Sequence, residues 1–254
     1  MSIFGYEIAS LNLLFHDLKQ FLMQVKKRIY LIGFIVFINF YWHTNVGASS
    51  LVNNLPIVEF PASGPCNYFV LFFSGDGGWK AIDQSITANL NAKKVPVVAL
   101  NIMKYLWSEK TKLQIAKDLE LLVDVYLKKW NKQNVVIIGY SMGAEVLPFA
   151  LNLTNSYYLA KISDLILIAP SQNASFKIKI KDYLLDDNKG QDVLSEVRLL
   201  KVKSKYCICD DKKYSICKKN LEGIIEYNVL TGGHHFDGDY SALNRLLSKR
   251  LKLD

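Results

Sequence analysis

Histidine and cysteine are scarce in this chain, with four of each among 254 residues, and several common signatures are missing. No repeat with a period of roughly 20–50 residues occurs, which excludes solenoids, propellers and arrays. No low-complexity tract occurs. The glycine-rich stretch FFSGDGGW (Phe72–Trp79) has no Gly-Lys-Ser/Thr after it, so it is not a phosphate-binding loop. No second Cys/His pair has ligand spacing, which argues against a zinc site, and no cofactor is expected. No basic-aromatic module of a DNA or RNA reader is present, so nucleic acid is not an expected partner. The longest apolar run is shorter than the ~20 residues of a membrane span.

What is present suits one α/β domain and a targeting segment. Half of the residues are hydrophobic, enough for a sizeable core. The formal net charge is +8, carried by scattered lysines. Such scatter describes a solvated basic surface, or one that approaches anionic lipid headgroups.

Lys26-Lys27-Arg28 precedes the uncharged run Ile29–Trp42, and small residues at Val46 and Ala48 follow. A basic segment, a short apolar segment and a small-residue site describe a secretory signal peptide over residues 1–48. Met23, just before the basic cluster, offers an alternative start, and an uncleaved N-terminal anchor is the other reading. Residues 49–65 are expected to be a linker and residues 66–254 the catalytic domain, periplasmic in either case. An exported chain can keep disulfides. Cys207 and Cys217 could close a short loop, although Cys66, Cys207, Cys209 and Cys217 allow three full pairings and sequence does not choose among them.

Continuous apolar stretches over Cys66–Phe73, Val95–Ile102, Asn134–Gly139, Asp164–Pro170, Lys205–Cys209 and Ile224–Leu230 read as strands. Helices are expected over Asp83–Asn91, Thr111–Trp130, Ala144–Leu153 and Tyr240–Leu251. In the second of these, Leu113, Ala116, Leu119, Leu122, Val123 and Tyr126 form the apolar stripe. Buried strands alternating with helices imply an α/β fold, a doubly wound, mostly parallel sheet with helices on both faces, of the α/β-hydrolase type. Residues 171–200 break the alternation and are expected to be an insertion or lid.

Gly139-x-Ser141-x-Gly143 sits where an apolar strand ends and a helix begins. This is the context of a nucleophile elbow, whose tight turn needs small residues on both sides of the serine. A hydroxyl nucleophile needs a base. Of the four histidines, His16 and His43 lie in or near the targeting segment. His234 and His235, in LTGGHHFDGDY after the last strand, are therefore the candidates, and the sequence does not rank them. The acid is expected between serine and histidine at a strand end, where Asp210 and Asp211 stand. Asp211 is preferred; Asp237 and Asp239 fall after the histidines, and Asp239 suits a helix cap. The backbone N–H groups of Asp76, in the glycine-rich turn, and Met142, after the serine, are expected to form the oxyanion hole.

Four blocks, FSGDGGW, YLWSEKT (Tyr105–Thr111), IGYSMGAEVLPF and GGHHFDGDY, together resemble the bacterial VirJ/AcvB virulence family over roughly residues 66–250. The resemblance is to the short, single-domain form. It implies an exported α/β-hydrolase-like protein, with Ser141 at the position of the nucleophile and His234-His235 in the histidine block. It further implies a link to type IV secretion components, and, from the AcvB branch, hydrolysis of the aminoacyl ester of lysyl-phosphatidylglycerol at a membrane surface. The stretch after Cys209 departs from the family pattern as to the acid. A lysyl headgroup requires nearby acidic side chains, for which Asp76 and Glu145 are the candidates. The alternative is a non-catalytic binding or escort factor that uses a hydrolase fold.

Overall fold

The computed structural model describes residues 23–32, 51–178 and 190–253. The chain divides into two units, Met1–Ser50 and Leu51–Asp254. In the first, residues 23–32 form an exposed helix, α1. The remainder of the expected signal peptide lies outside the described residues. Among the described residues no helix is long and apolar enough to cross a membrane.

The second unit is built on a seven-stranded sheet. Its strands are β1 (Ile57–Phe60), β2 (Tyr68–Phe73), β3 (Val97–Leu100), β4 (Asn134–Tyr140), β5 (Ile162–Ile168), β8 (Lys205–Cys209) and β9 (Glu226–Val229), in the order β1-β3-β2-β4-β5-β8-β9. All neighbours run parallel except β1, which pairs antiparallel with β3. A short ribbon joins β6 (Asn173–Ala174) to β7 (Gln191–Asp192). The helices are α2 (Ala81–Ala92), α3 (Ile102–Tyr105), α4 (Lys112–Lys129), α5 (Met142–Leu151), α6 (Ser156–Leu159), α7 (Val193–Leu199) and α8 (Ser241–Leu251).

The apolar strand runs follow from burial on both sheet faces. In β2, alternate residues Phe69, Leu71 and Phe73 join one core with Leu119, Val123 and Val146. Val70 and Phe72 join the other with Ile82, Ile86, Leu243 and Leu247. Side chains along a strand alternate between faces, so a strand covered on both sides must be apolar throughout. Each fully buried Leu, Ile or Phe contributes about 1.5–3 kcal/mol.

Three expectations change. The segment read as a linker contains β1, whose four residues stand between Pro56 and Pro61 at the sheet edge, where proline is tolerated. Leu113 points to solvent, and Ile115 instead enters the core with Ala116, Leu119, Leu122, Val123 and Tyr126. Thr111 caps α4 through a reciprocal pair with Gln114, which fixes the helix start one residue later than expected. Within 171–200, the described ends are rooted in the domain. Val193, Leu194 and Val197 are buried, and Asn152 Nδ2 donates to the Glu196 carboxylate at 2.7 Å. Residues 179–189, the centre of the expected lid, lie outside the described residues.

Candidate active site

β4 ends at Tyr140 and α5 begins at Met142, which leaves Ser141 alone at the turn. Its φ of 52° and ψ of −124° are unfavourable for an L-residue, a strain typical of a nucleophile held at a sharp elbow. The glycines make this turn possible. A Cβ on Gly143 would lie 2.4 Å from the Phe73 carbonyl oxygen, and one on Gly139 would lie 2.7 Å from Ala144 backbone. The Ser141 N–H donates to the Ile168 carbonyl at 2.9 Å, which fixes the elbow to β5.

The histidine arrives from the loop after β9. Gly232 and Gly233 adopt φ of 96° and 67°, and buried Phe236 anchors the 3-10 turn Gly233–Gly238. His234 Nε2 lies 2.7 Å from Ser141 Oγ, and its Nδ1 lies 2.7 Å from Asp210 Oδ2. A carboxylate only accepts, so Nδ1 carries the hydrogen in the neutral ring and Nε2 is left to accept the serine proton. Burial disfavours charge on His234, but Asp210 outweighs it and raises its pKa, with Glu145 and Asp76 acting in the same direction. Burial of Asp210 is in turn outweighed by hydrogen bonds from His234 and Ser215, which hold its carboxyl below the usual range.

The expected acid is therefore corrected from Asp211 to Asp210. The residue directly beyond β8 turns inward and is buried, whereas the next one is exposed. Asp211 instead accepts the Gly233 N–H at 2.9 Å and so supports the histidine loop. His235 does not reach the serine. Its Nδ1 lies 2.8 Å from the Tyr140 hydroxyl, which also donates to the His234 carbonyl at 3.1 Å. Burial and the neighbouring His234 lower the His235 pKa. Asp239 accepts the Ser241 N–H at 2.8 Å at the start of α8. The disulfide also differs from the pairing singled out in the sequence: Cys209 bonds Cys217, and Cys207 is a buried thiol beside it. Cys209 stands at the end of β8, where the chain turns toward Cys217, so the bridge closes the loop that carries Asp210.

A cavity of about 570 Å³ opens on Ser141 and His234, bordered by the Gly75–Gly78 turn, Asp83 and Glu145. Met142 is the first residue of α5, where helix N–H groups have no intrahelical acceptor. Asp76 stands half-buried in the facing turn. Glu145 is buried, and its Oε1 accepts the Ser171 N–H at 3.1 Å. Burial lifts its pKa to about 7, against the hydrogen bonds from Ser171. Sequence reasoning missed three residues here. Tyr140 orients both histidines, and Ser74, whose hydroxyl accepts the Ile102 N–H at 3.0 Å, ties the end of β2 to α3. Asp83 was read only as a helix start. The signal for it was an acid three residues after the cap of that helix, obscured by Lys80 at the cap itself.

A mostly parallel sheet, an elbow after its central strand, and serine, aspartate and histidine in that chain order define the α/β-hydrolase fold. Solved structures agree. GrgF, an alpha/beta hydrolase from Penicillium sp. sh18, is 12% identical with a TM-score of 0.55, covering 77% of this chain and 91% of its own. MenH from S. aureus gives 12%, 0.53, 77% and 97%. The Pyrococcus furiosus esterase Pf2001 gives 16%, 0.52, 78% and 92%. Identities this low show the fold alone. The chain belongs to the family described as bacterial virulence protein (VirJ), which it matches over residues 67–253. Among curated proteins, none matches it.

Proposed function

We propose that this protein is an exported serine hydrolase that cleaves the aminoacyl ester of lysyl-phosphatidylglycerol or a related lipid ester. The observation that carries this reading is the unbroken Ser141–His234–Asp210 relay, with 2.7 Å at each contact, opening on a cavity. Ser141 Oγ attacks the ester carbonyl as His234 Nε2 takes its proton. The N–H groups of Met142 and Asp76 receive the developing oxyanion. The imidazolium, steadied by Asp210, returns the proton to the leaving alcohol oxygen, and water then releases the acyl group by the same steps in reverse.

Asp76, Asp83 and Glu145 make the cavity acidic, which suits a cationic acyl group. An ammonium entering beside Glu145 would draw that carboxyl into its ionised form. The Cys209–Cys217 bridge supports an oxidising location outside the inner membrane. The +8 charge supports docking on an anionic membrane surface, and engagement of secretion-system components rests on the family resemblance.

Lipid profiles of cells making wild-type or Ser141→Ala protein test the reading. Depletion of lysyl-phosphatidylglycerol by wild type alone supports it. Identical profiles, with secretion still supported by Ser141→Ala, overturn it in favour of a binding or escort role.

A further inference from the structure

The glycine-rich turn that faces Ser141 has no regular secondary structure between Ser74 and Lys80 to hold it. It nevertheless lies hard against the nucleophile. A Cβ on Gly75 would come 3.5 Å from Ser141 Cβ and 3.0 Å from the Tyr140 ring. An oxyanion donor on this turn is useful only if its position is fixed before the reaction begins, because preorganisation is what lets a donor stabilise developing charge. Something has to fix the turn.

Asp83 is placed to do so. It is wholly buried, and its two carboxylate oxygens reach the two ends of the turn. Oδ2 accepts the Lys80 N–H at 2.8 Å, and Oδ1 accepts the Gly75 N–H, eight residues back, at 3.4 Å. The turn also closes on itself, with the Gly78 N–H donating to the Gly75 carbonyl at 3.3 Å. Capping α2 needs only the Lys80 contact, and an acid that does nothing more can stay in water. Burying a carboxylate is costly unless hydrogen bonds compensate. Here burial pushes the Asp83 pKa up to about 6, against the hydrogen bonds from Lys80 and Gly75 that favour its ionised form.

We propose that Asp83 is a positioning residue that clamps the Gly75–Lys80 turn so that its backbone is preset for the oxyanion formed at Ser141. This rests on the hydrolase reading above. The carboxylate is needed rather than an amide, since two N–H donors converge on its two oxygens. An asparagine would offer one acceptor and set its own NH2 against the second donor.

The experiment compares wild type, Asp83→Asn and Asp83→Ala on one ester that the wild type hydrolyses. Inhibition by an alkylboronic acid, which forms a tetrahedral adduct on the serine, and thermal melting are measured in parallel. Both variants are expected to lose about 10- to 100-fold in kcat, less than deletion of an oxyanion donor itself, with KM within about twofold. Boronate affinity is expected to fall in proportion to kcat/KM. A residue that serves only the fold would lower Tm without moving the boronate affinity of the folded enzyme. If Asp83→Ala does not fold, the near-isosteric Asp83→Asn carries the test. Unchanged kcat, a change confined to KM, or unchanged boronate affinity overturns the assignment while leaving the hydrolase intact. A wild-type protein inert to esters and unlabelled by a fluorophosphonate overturns the hydrolase reading, and this role with it.

Discussion

Glu145→Gln should make the domain more stable at alkaline pH and leave it unchanged at acid pH. Burial holds the Glu145 carboxyl at about 7, against an ordinary value of 4.5. A carboxyl whose folded pKa is raised binds its proton more tightly in the folded state. The stability it allows is therefore complete below the unfolded value of 4.5 and is lost as pH rises through about 7. The gap of about 2.5, at about 1.4 kcal/mol for each tenfold in proton affinity, comes to about 3 kcal/mol. Glutamine keeps an oxygen for the Ser171 N–H and never ionises. Urea denaturation at pH 4.5 and at pH 8 should give variant-minus-wild-type differences of about zero and about 3 kcal/mol. His234 also has a raised pKa, so its own contribution is lost with rising pH in both proteins and largely cancels in the difference. A difference that is the same at both pH values would refute the argument that the carboxyl is ionised at a cost.

Asp210→Asn should lower kcat by about 10³- to 10⁴-fold through loss of the correct His234 tautomer, whereas Asp211→Asn, which keeps an acceptor for Gly233, should stay within a few-fold of wild type in the same ester assay. With neutral His234 as the base of the proposed mechanism and its pKa raised, kcat/KM should climb with pH through a midpoint above 6.5, and His235→Ala should leave that limb in place. The Cys209→Ser/Cys217→Ser double variant opens a bridge spanning eight residues in sequence, worth about 2.5 kcal/mol in the chain-entropy model, and should lower Tm and, through Asp210, kcat. Addition of reductant should reproduce its kinetics in the wild type and leave the variant unaffected.

The sheet and the elbow that carries Ser141 were legible because their physics is local. β2, β4 and β5 are buried on both faces and read as apolar runs, and the elbow has glycines where no Cβ fits. What could not be read depends on how separate segments meet. β1 is four residues between two prolines and exists because β3 offers it a free edge. Leu113 and Ile115 are equally apolar, and only the docking of α4 decides which one is buried. His234 and His235 are chemically identical, and the left-handed pair Gly232-Gly233 decides which ring meets the serine. The acid was misplaced by one residue for the same reason: two adjacent aspartates differ only in the side of the chain from which they project.

The adjacency of Asp210 and Asp211 turns strand alignment into a functional quantity. β8 is held to β5 by the pairing of Leu165 with Lys205 through Ile168 with Ile208, and to β9 by the pairing of Cys209 with Val229. A slip of one position that carried Asp211 to the place beneath His234 would push Asp210 into the buried place of Cys209, because a shift of one residue moves every side chain to its neighbour's position. The chain would still offer an aspartate at the strand end, yet Gly233 would lose its acceptor and the bridging sulfur of Cys209 would point to the wrong face. On the proposed function, turnover would therefore double as a readout of sheet register, sensitive to an error of a single residue that secondary-structure content would never reveal.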